Sequence, residues 1–192
     1  HNLSTKPVAP SVGVIHRLDK PVSGAMVYAK TKNAAASLSK QVAEGKMHKK
    51  YLAVLCGKPV DNNGTYVDYL KQDKKNNCSR IVDKSDPDGK RAELEYKVLD
   101  CMQTEEKDPQ YLSLVEIKLL TGRHHQIRVQ FSGHGTPLYG DGKYGNNEKA
   151  VRKSLALCAC HLRFKHPVTG RIMDFQIKPD TGAFKLFSKN IS

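Results

Sequence analysis

Apolar and polar positions divide this chain into short blocks, most of them too brief for helices. The apolar block Val12-Gly13-Val14-Ile15 gives way to His16, Arg17, Asp19 and Lys20, and Ala25-Met26-Val27-Tyr28-Ala29 restores it. Pro21 and Gly24 punctuate the interval, so the pattern predicts two strands joined by a tight polar loop. Thr31 is placed to cap a helix from about Asn33 to Glu44, which carries Leu38 and Val42 and meets a terminator in Gly45. Tyr51-Leu52-Ala53-Val54-Leu55 follows a basic lead and predicts a strand. A short strand is expected from Thr65 to Leu70, and the charge run Lys71 to Asn77 reads as a solvated loop. Ala92 to Cys101 and Tyr111 to Leu120 alternate as half-buried strands do, with a polar turn from Glu105 to Gln110 between them.

Farther on, His125 to Gly133 predicts a short helix, and the glycine-rich Gly133 to Gly145 predicts a loop. Asn147 to Lys153 suggests a helical turn. Leu155 to His161 and Ile172 to Lys178 are expected strands joined through a turn at His166 to Gly170, and Gly182 to Phe187 a short terminal helix. His1 to Pro10 is polar and Pro-containing, and is expected to be loose. Strands outnumber helices, and most connections are too short for βαβ crossovers. The expectation is one α+β domain over residues 1–192, a mixed, largely antiparallel sheet flanked by short helices. No repeat, P-loop or G-x-G-x-x-G run suggests a solenoid or a nucleotide-cofactor fold.

Charge narrows the partners. Thirty-two Lys and Arg face 19 Asp and Glu, giving +13 on 192 residues. Such an excess attracts polyanions, and nucleic acid is the first candidate. A membrane surface ranks second, because no basic amphipathic helix with a bulky apolar face is evident, nor any signal or spanning segment. The charge exceeds what solubility needs. The five cysteines are odd in number and form no C-x-x-C pair, which fits reduced thiols in a cytosolic protein. None of the eight His joins them at zinc spacing, so no metal site is expected.

Three stretches carry candidate chemistry. Asp19, flanked by Arg17 and Lys20 at a strand end, is poised to stay ionised. It suits a nucleophile, a base or a ligand, and equally a structural ion pair. In Leu119 to Val129, a Thr-Gly turn brings Arg123 to a helix start, an anion-binding arrangement. Arg123 and Arg128 are five positions apart, so one can reach a phosphate while the other turns inward. In the loop Gly135 to Gly145, glycines permit close backbone approach, and Tyr139 and Tyr144 are candidates to stack on bases. The weightier alternative makes them lids on the core. Tyr51 by itself reads as a core residue with its hydroxyl at the rim.

Taken in order, these pieces resemble the RluA-type pseudouridine synthases. His16-Arg17-Leu18-Asp19 with Ser23-Gly24 is similar to the first motif of that family, and Lys50-Tyr51-Leu52-Ala53-Val54 to the second. Thr121-Gly122-Arg123 with His125-Gln126-Ile127-Arg128 is similar to the third. Gly140-Asp141-Gly142-Lys143-Tyr144-Gly145 and Leu162-x-Phe164-x-His166-Pro167 also fit, so the resemblance runs from about Gly13 to Lys178. Val22 and His124 depart from the usual Thr and Thr or Ser, at positions not expected to do chemistry. The family's catalytic domain usually has further strands before the first motif, and many members carry a small RNA-binding domain before those. This chain starts just upstream of the motif, so either a trimmed fragment or a differently completed sheet is expected.

The resemblance implies isomerisation of uridine to pseudouridine within structured RNA, without cofactor. It implies Asp19 as nucleophile, Tyr51 packed on the target base, and Arg128 paired with the Asp19 carboxylate. Leu157 is the candidate apolar wall of the uracil pocket. Arg17 and Arg123 are candidates to hold the displaced backbone, and Tyr144 to contact RNA. Large-subunit ribosomal RNA is the expected substrate, transfer RNA the next, and the protein is expected to act as a cytoplasmic monomer. One alternative is a non-catalytic RNA-binding or RNA-folding module retaining the fold, which would not need Asp19, Tyr51 and Arg128 together. Another is a phosphate-ester hydrolase, which would want a metal site or a second acid near Asp19.

Overall fold

The structure, a computed structural model, describes residues 12–105, 110–145 and 154–191. The stretch expected to be loose at 1–10 and the helical turn expected at 147–153 lie outside the described residues, as does most of the turn at 105–110. The strands are β1 (Gly13–Val14), β2 (Ser23–Gly24), β3 (Tyr28–Ala29), β4 (His48–Cys56), β5 (Asn63–Asp73), β6 (Cys78–Val82), β7 (Lys90–Gln103), β8 (Tyr111–Leu119), β9 (Leu157–Lys165) and β10 (Ile172–Gln176). The helices are α1 (Lys32–Ala43), α2 (Gln126–Gly133) and a 3-10 turn at Gly182–Phe187.

The continuous apolar run of β4 makes it central. Successive strand residues face opposite sides, so a strand that is apolar throughout needs cover on both. Tyr51, Ala53 and Leu55 pack with Ile127 and Phe131 of α2, while Leu52 and Val54 pack with Phe184 and Phe187 of the 3-10 turn. The main sheet runs β10-β9-β4-β8-β7-β5-β6, and every neighbouring pair in it is antiparallel. Among the described residues the one parallel pair is β2 on β9, with Ser23 opposite Cys158 and Gly24 opposite Ala159. The fold is therefore α+β with a mixed, largely antiparallel sheet.

Gly24 is required where β2 meets β9. Its φ is +140°, and a Cβ there would lie 2.5 Å from the carbonyl oxygen of Ala159 and 2.6 Å from its nitrogen. This close approach ties the segment 15–22 to the sheet. At the next helix, Thr31 Oγ1 accepts a hydrogen bond from the Ala34 N–H at 3.2 Å, and Gly45 follows the helix end at φ +66°. Leu38 of α1 joins Met47, Leu162 and Phe164 in a satellite core, against which Ile15 and Val27 pack.

Three expectations need correction. Val12 to Ile15 is not a buried strand of the sheet. Only Gly13 and Val14 pair, with Ala29 and Tyr28, in a separate two-stranded ribbon, and Val12 and Val14 are 61% and 54% exposed. Asp19 is thus carried by a loop and not by the end of a central strand. Similarly, Ala25 to Ala29 shrinks to Tyr28–Ala29, because the chain has already paired with β9 at Ser23–Gly24. Finally, Lys71 to Asn77 is not all loop. β5 continues to Asp73 and turns back through 74–77 into β6, Tyr69 to Asp73 pairing with Val82 to Cys78. Among the described residues, no helix is long and apolar enough to cross a membrane.

Candidate active site

The site forms where the loop 15–22, the start of α2 and the loop after α2 meet on the Tyr51 face of the sheet. The Thr-Gly turn before α2 is braced by one side chain. Gln126 Oε1 accepts from the Thr121 hydroxyl at 2.8 Å and from the Arg123 N–H at 2.9 Å, and Gln126 Nε2 donates to the Glu93 carbonyl at 3.0 Å. The Thr121 hydroxyl in turn accepts from the Glu93 N–H at 2.8 Å. A buried amide satisfied on both ends fixes the turn. Fixed this way, α2 begins at Gln126, with His125 as its N-cap in the left-handed region, φ +54° and ψ 22°.

From that start, Arg128 turns inward and Arg123 outward. Arg128 is 7% exposed, and its Nε and Nη2 donate to Asp141 Oδ2 and Oδ1, both at 2.8 Å. This parallel pair of charge-assisted bonds is the strong geometry for a guanidinium and a carboxylate. Asp141 is fully buried and also accepts from the N–H groups of Lys143 at 3.0 Å and Tyr144 at 3.1 Å. Burial works against ionisation of Asp141. The Arg128 hydrogen bonds and charge, with those two N–H groups, outweigh it and hold its carboxyl below the usual range. Arg128 is likewise disfavoured by burial, but Asp141 and Asp19 together raise its pKa.

Asp19 takes the remaining corner of Arg128. Nη1 donates to Asp19 Oδ2 at 3.4 Å, and His125 Nε2 lies 3.0 Å from the same oxygen. The Asp19 side chain is 31% exposed, so it sits between the buried pair and solvent. The expected partnership with Arg128 is present, but the principal partner of Arg128 is Asp141. Arg17 and Lys20, its neighbours in sequence, are both exposed, and the side chains that reach the Asp19 carboxylate are Arg128 of α2 and the N-cap His125.

Tyr51 and Leu157 meet in the apolar part of the site. Both are buried in one cluster, against which Leu18 and Val22 of the Asp19 loop pack. Ala53, two residues along β4 from Tyr51, is paired with Leu157. Burial, then the Asp19 charge and then Cys160, push the Tyr51 phenol up to about 12, so it stays protonated. Tyr144 is built into the scaffold. The guanidinium carbon of Arg128 lies 5.0 Å from its ring centre, and its hydroxyl lies 2.6 Å from His125 Nδ1. Arg123 is exposed, with its Nε donating to the Arg91 carbonyl at 2.8 Å. Among the described residues, no group of three or more His, Cys, Asp and Glu is arranged to hold a metal ion.

Sequence reasoning missed two members of this site, Asp141 and His125. A signal for the first was present. Asp141 is the single acid between Glu116 and Glu148, so it was the one nearby carboxylate available to an inward Arg128. For His125 the sequence offered only an adjacent His pair at a helix start.

Comparison with known proteins places the chain in a family. The family model for RNA pseudouridylate synthase matches residues 3–133. The ribosomal large subunit pseudouridine synthase D of Zymomonas mobilis is 36% identical over 171 residues, covering 85% of this chain and 51% of the relative. The uncharacterized RNA pseudouridine synthase YlyB of Bacillus subtilis is 38% identical over 164 residues, with the same coverage of 85% and 51%. The solved structure of human RNA pseudouridylate synthase domain containing 1 superposes with a TM-score of 0.75 at 28% identity, covering 88% of this chain and 70% of that one. The α+β fold is thus shared with proteins named for one reaction. The chain belongs to the RNA pseudouridylate synthase family, and within it to the RluA type. It spans about half the length of the curated relatives it matches.

Proposed function

We propose that this chain carries the catalytic centre for isomerising uridine to pseudouridine in structured RNA, with large-subunit ribosomal RNA as the substrate class. One observation carries the proposal. A half-open carboxylate, Asp19, is held on one oxygen by a buried guanidinium and an imidazole, beside the protonated Tyr51 and an apolar wall at Leu157. The names of relatives that act on the ribosomal large subunit support the choice of RNA.

The reaction detaches uracil from C1′ of the ribose at N1, turns it, and rejoins it through C5. The C5 proton is lost and N1 gains one, so no electrons are exchanged overall. Asp19 serves as the nucleophile, with Arg128 in contact with its carboxylate. Tyr51 and Leu157 form the walls that hold the free uracil while it turns. A uridine within a helix must be flipped out to reach Asp19, at a cost of a few kcal/mol. Arg17 and Arg123, both exposed, hold the displaced backbone, and the net charge of +13 supplies general affinity.

The test is incubation with large-subunit ribosomal RNA transcripts, with pseudouridine read chemically, for the wild type and Asp19→Asn. Loss of isomerisation in the variant, with RNA affinity kept, is expected because affinity comes mainly from phosphate contacts. Near-normal turnover by Asp19→Asn, with deamidation excluded, would sink the assignment.

A further inference from the structure

His125 occupies a backbone region that a residue with a Cβ visits at a cost. Such strain persists only where the surroundings over-determine it. Three contacts do so here. His125 Nε2 is 3.0 Å from Asp19 Oδ2, Nδ1 is 2.6 Å from the Tyr144 hydroxyl, and the ring stacks on His124 with centroids 3.7 Å apart. None of these is explained by packing alone, since a core residue of similar volume would avoid the left-handed backbone.

The protons in this chain run in one direction. The Tyr144 hydroxyl oxygen accepts the backbone N–H of Ser79, on β6, at 2.9 Å. Its own hydrogen is then free to be donated to His125 Nδ1. With Nδ1 accepting, the single ring proton sits on Nε2 and is donated to Asp19. Burial lowers the pKa of His125 to about 4, with His124, Arg128 and Lys143 adding to the effect and Asp19 opposing it, so the imidazole is neutral at pH 7. A second full cation on Asp19 would weaken its carboxylate as a nucleophile. A neutral donor orients it without that penalty.

Both grips fall on the same atom. Arg128 and His125 reach Oδ2, and among the described residues Oδ1 takes no protein hydrogen bond. The terminal torsion of Asp is otherwise broad. Resting on the isomerase assignment above, we propose that His125 is a positioning residue that, together with Arg128, pins Oδ2 of Asp19 and presents Oδ1 to the nucleotide, the Tyr144 hydroxyl and the Ser79 amide locking the imidazole in the donating tautomer. The β5–β6 hairpin, distant in sequence, thereby reaches the nucleophile through hydrogen bonds.

Two measurements test this. The first is independent of turnover. Nitrogen-15 chemical shifts of the histidines in the full chain should show His125 near neutral pH with its proton on Nε2 and an accepting Nδ1. A proton on Nδ1, in either the other tautomer or the imidazolium, would overturn the proposal. The second is kinetic, comparing His125→Gln with His125→Asn under single-turnover conditions. The Gln amide nitrogen falls near the place of Nε2, whereas Asn tolerates the left-handed backbone but reaches only toward Tyr144. His125→Asn should lose about 10- to 100-fold in rate, as expected for a hydrogen bond to a charged group, with RNA affinity unchanged. His125→Gln should recover about 5-fold or more of that loss, on the same scale. Asn at wild-type rate, or Gln no faster than Asn with both variants melting normally, refutes it. If either variant fails to fold, the chemical shifts of the wild type still decide. If the wild type converts no uridine, the functional assignment fails, and the shifts judge the positioning geometry separately.

Discussion

Asp141→Asn probes what holds the site together. The substitution keeps the side-chain volume and removes the charge from a fully buried group. Arg128 would lose two hydrogen bonds of 2.8 Å to a carboxylate and retain a single charged partner, Asp19, at 3.4 Å. The Asn nitrogen would face the guanidinium in either orientation, and in one of them the Lys143 and Tyr144 amides as well, donor against donor. Removing one partner of a buried pair costs about 3–5 kcal/mol. Domain stability as a whole is about 5–15 kcal/mol. At roughly 2–4 °C per kcal/mol for a chain of this size, the melting temperature should fall by on the order of 10 °C. Calorimetry and urea unfolding of wild type, Asp141→Asn, Arg128→Met and the double variant measure it. The double variant should be less destabilised than the sum of the singles by about 1–3 kcal/mol, because it leaves no orphaned charge. Its isomerase activity should still be lost, since Asp19 has lost its cation. Single variants within about 0.5 kcal/mol of wild type, or strictly additive costs, would refute a strongly coupled buried pair.

Other outcomes follow from the same structure. The Asp141 carboxyl is held below its usual range in the folded state. Its contribution is complete above the unfolded value of about 3.9 and is lost as pH falls through the folded value, so the stability gap between wild type and Asp141→Asn should narrow in acid; a constant gap down to acid unfolding would contradict this. Gly24→Ala drives a Cβ into the Ala159 backbone and should cost about 1–3 kcal/mol, with slower turnover because the Asp19 loop is anchored there; urea unfolding at wild-type stability would contradict the close approach. Arg123→Met and Arg17→Met should each lower the salt dependence of RNA binding by about one counterion, with the chemical step less affected than in Arg128→Met; an unchanged salt slope would remove them from the RNA interface. Turnover should be unaffected by excess chelator, and a loss restored by one divalent ion acting on the protein would revive hydrolytic or metal-assisted chemistry.

The fold was most legible where a strand buries one face or two within the main sheet. β4, β7 and β8 follow from their apolar runs and alternation, because in them the sheet itself supplies the burial. The first motif misled for the opposite reason. Ile15, Ala25 and Val27 are apolar because they pack on α1 and the satellite core, not because they extend a strand. A two-residue ribbon can be attached to such residues as easily as a long strand. β6 was invisible because it is short and its one buried residue, Ser79, is polar. Ser79 is buried, yet its N–H serves Tyr144 and its hydroxyl lies 2.9 Å from His124 Nδ1, so the segment is shaped by site contacts and not by a hydrophobic period.

The site was legible by chemical type before it was legible by geometry. Asp19, Tyr51, Leu157 and Arg128 converge, and their motifs name the family. The inward Arg128 also demanded compensation, since a buried charge is costly unless paired. Assigning that compensation to Asp19 alone neglected a count. A guanidinium has five N–H donors in a fixed fork, and a carboxylate that must also face a substrate cannot occupy both sides of it. A carboxylate in the proposed role of nucleophile needs an open oxygen, whereas the guanidinium needs a closed partner, so the two demands call for two acids. Asp141 meets the second, wholly buried, with backbone N–H groups on one of its oxygens, and that leaves Asp19 31% exposed. Any chain of this kind that places a buried arginine behind a nucleophilic carboxylate is expected to carry a second acid, and the loop just after the arginine's helix is the nearest place to supply it.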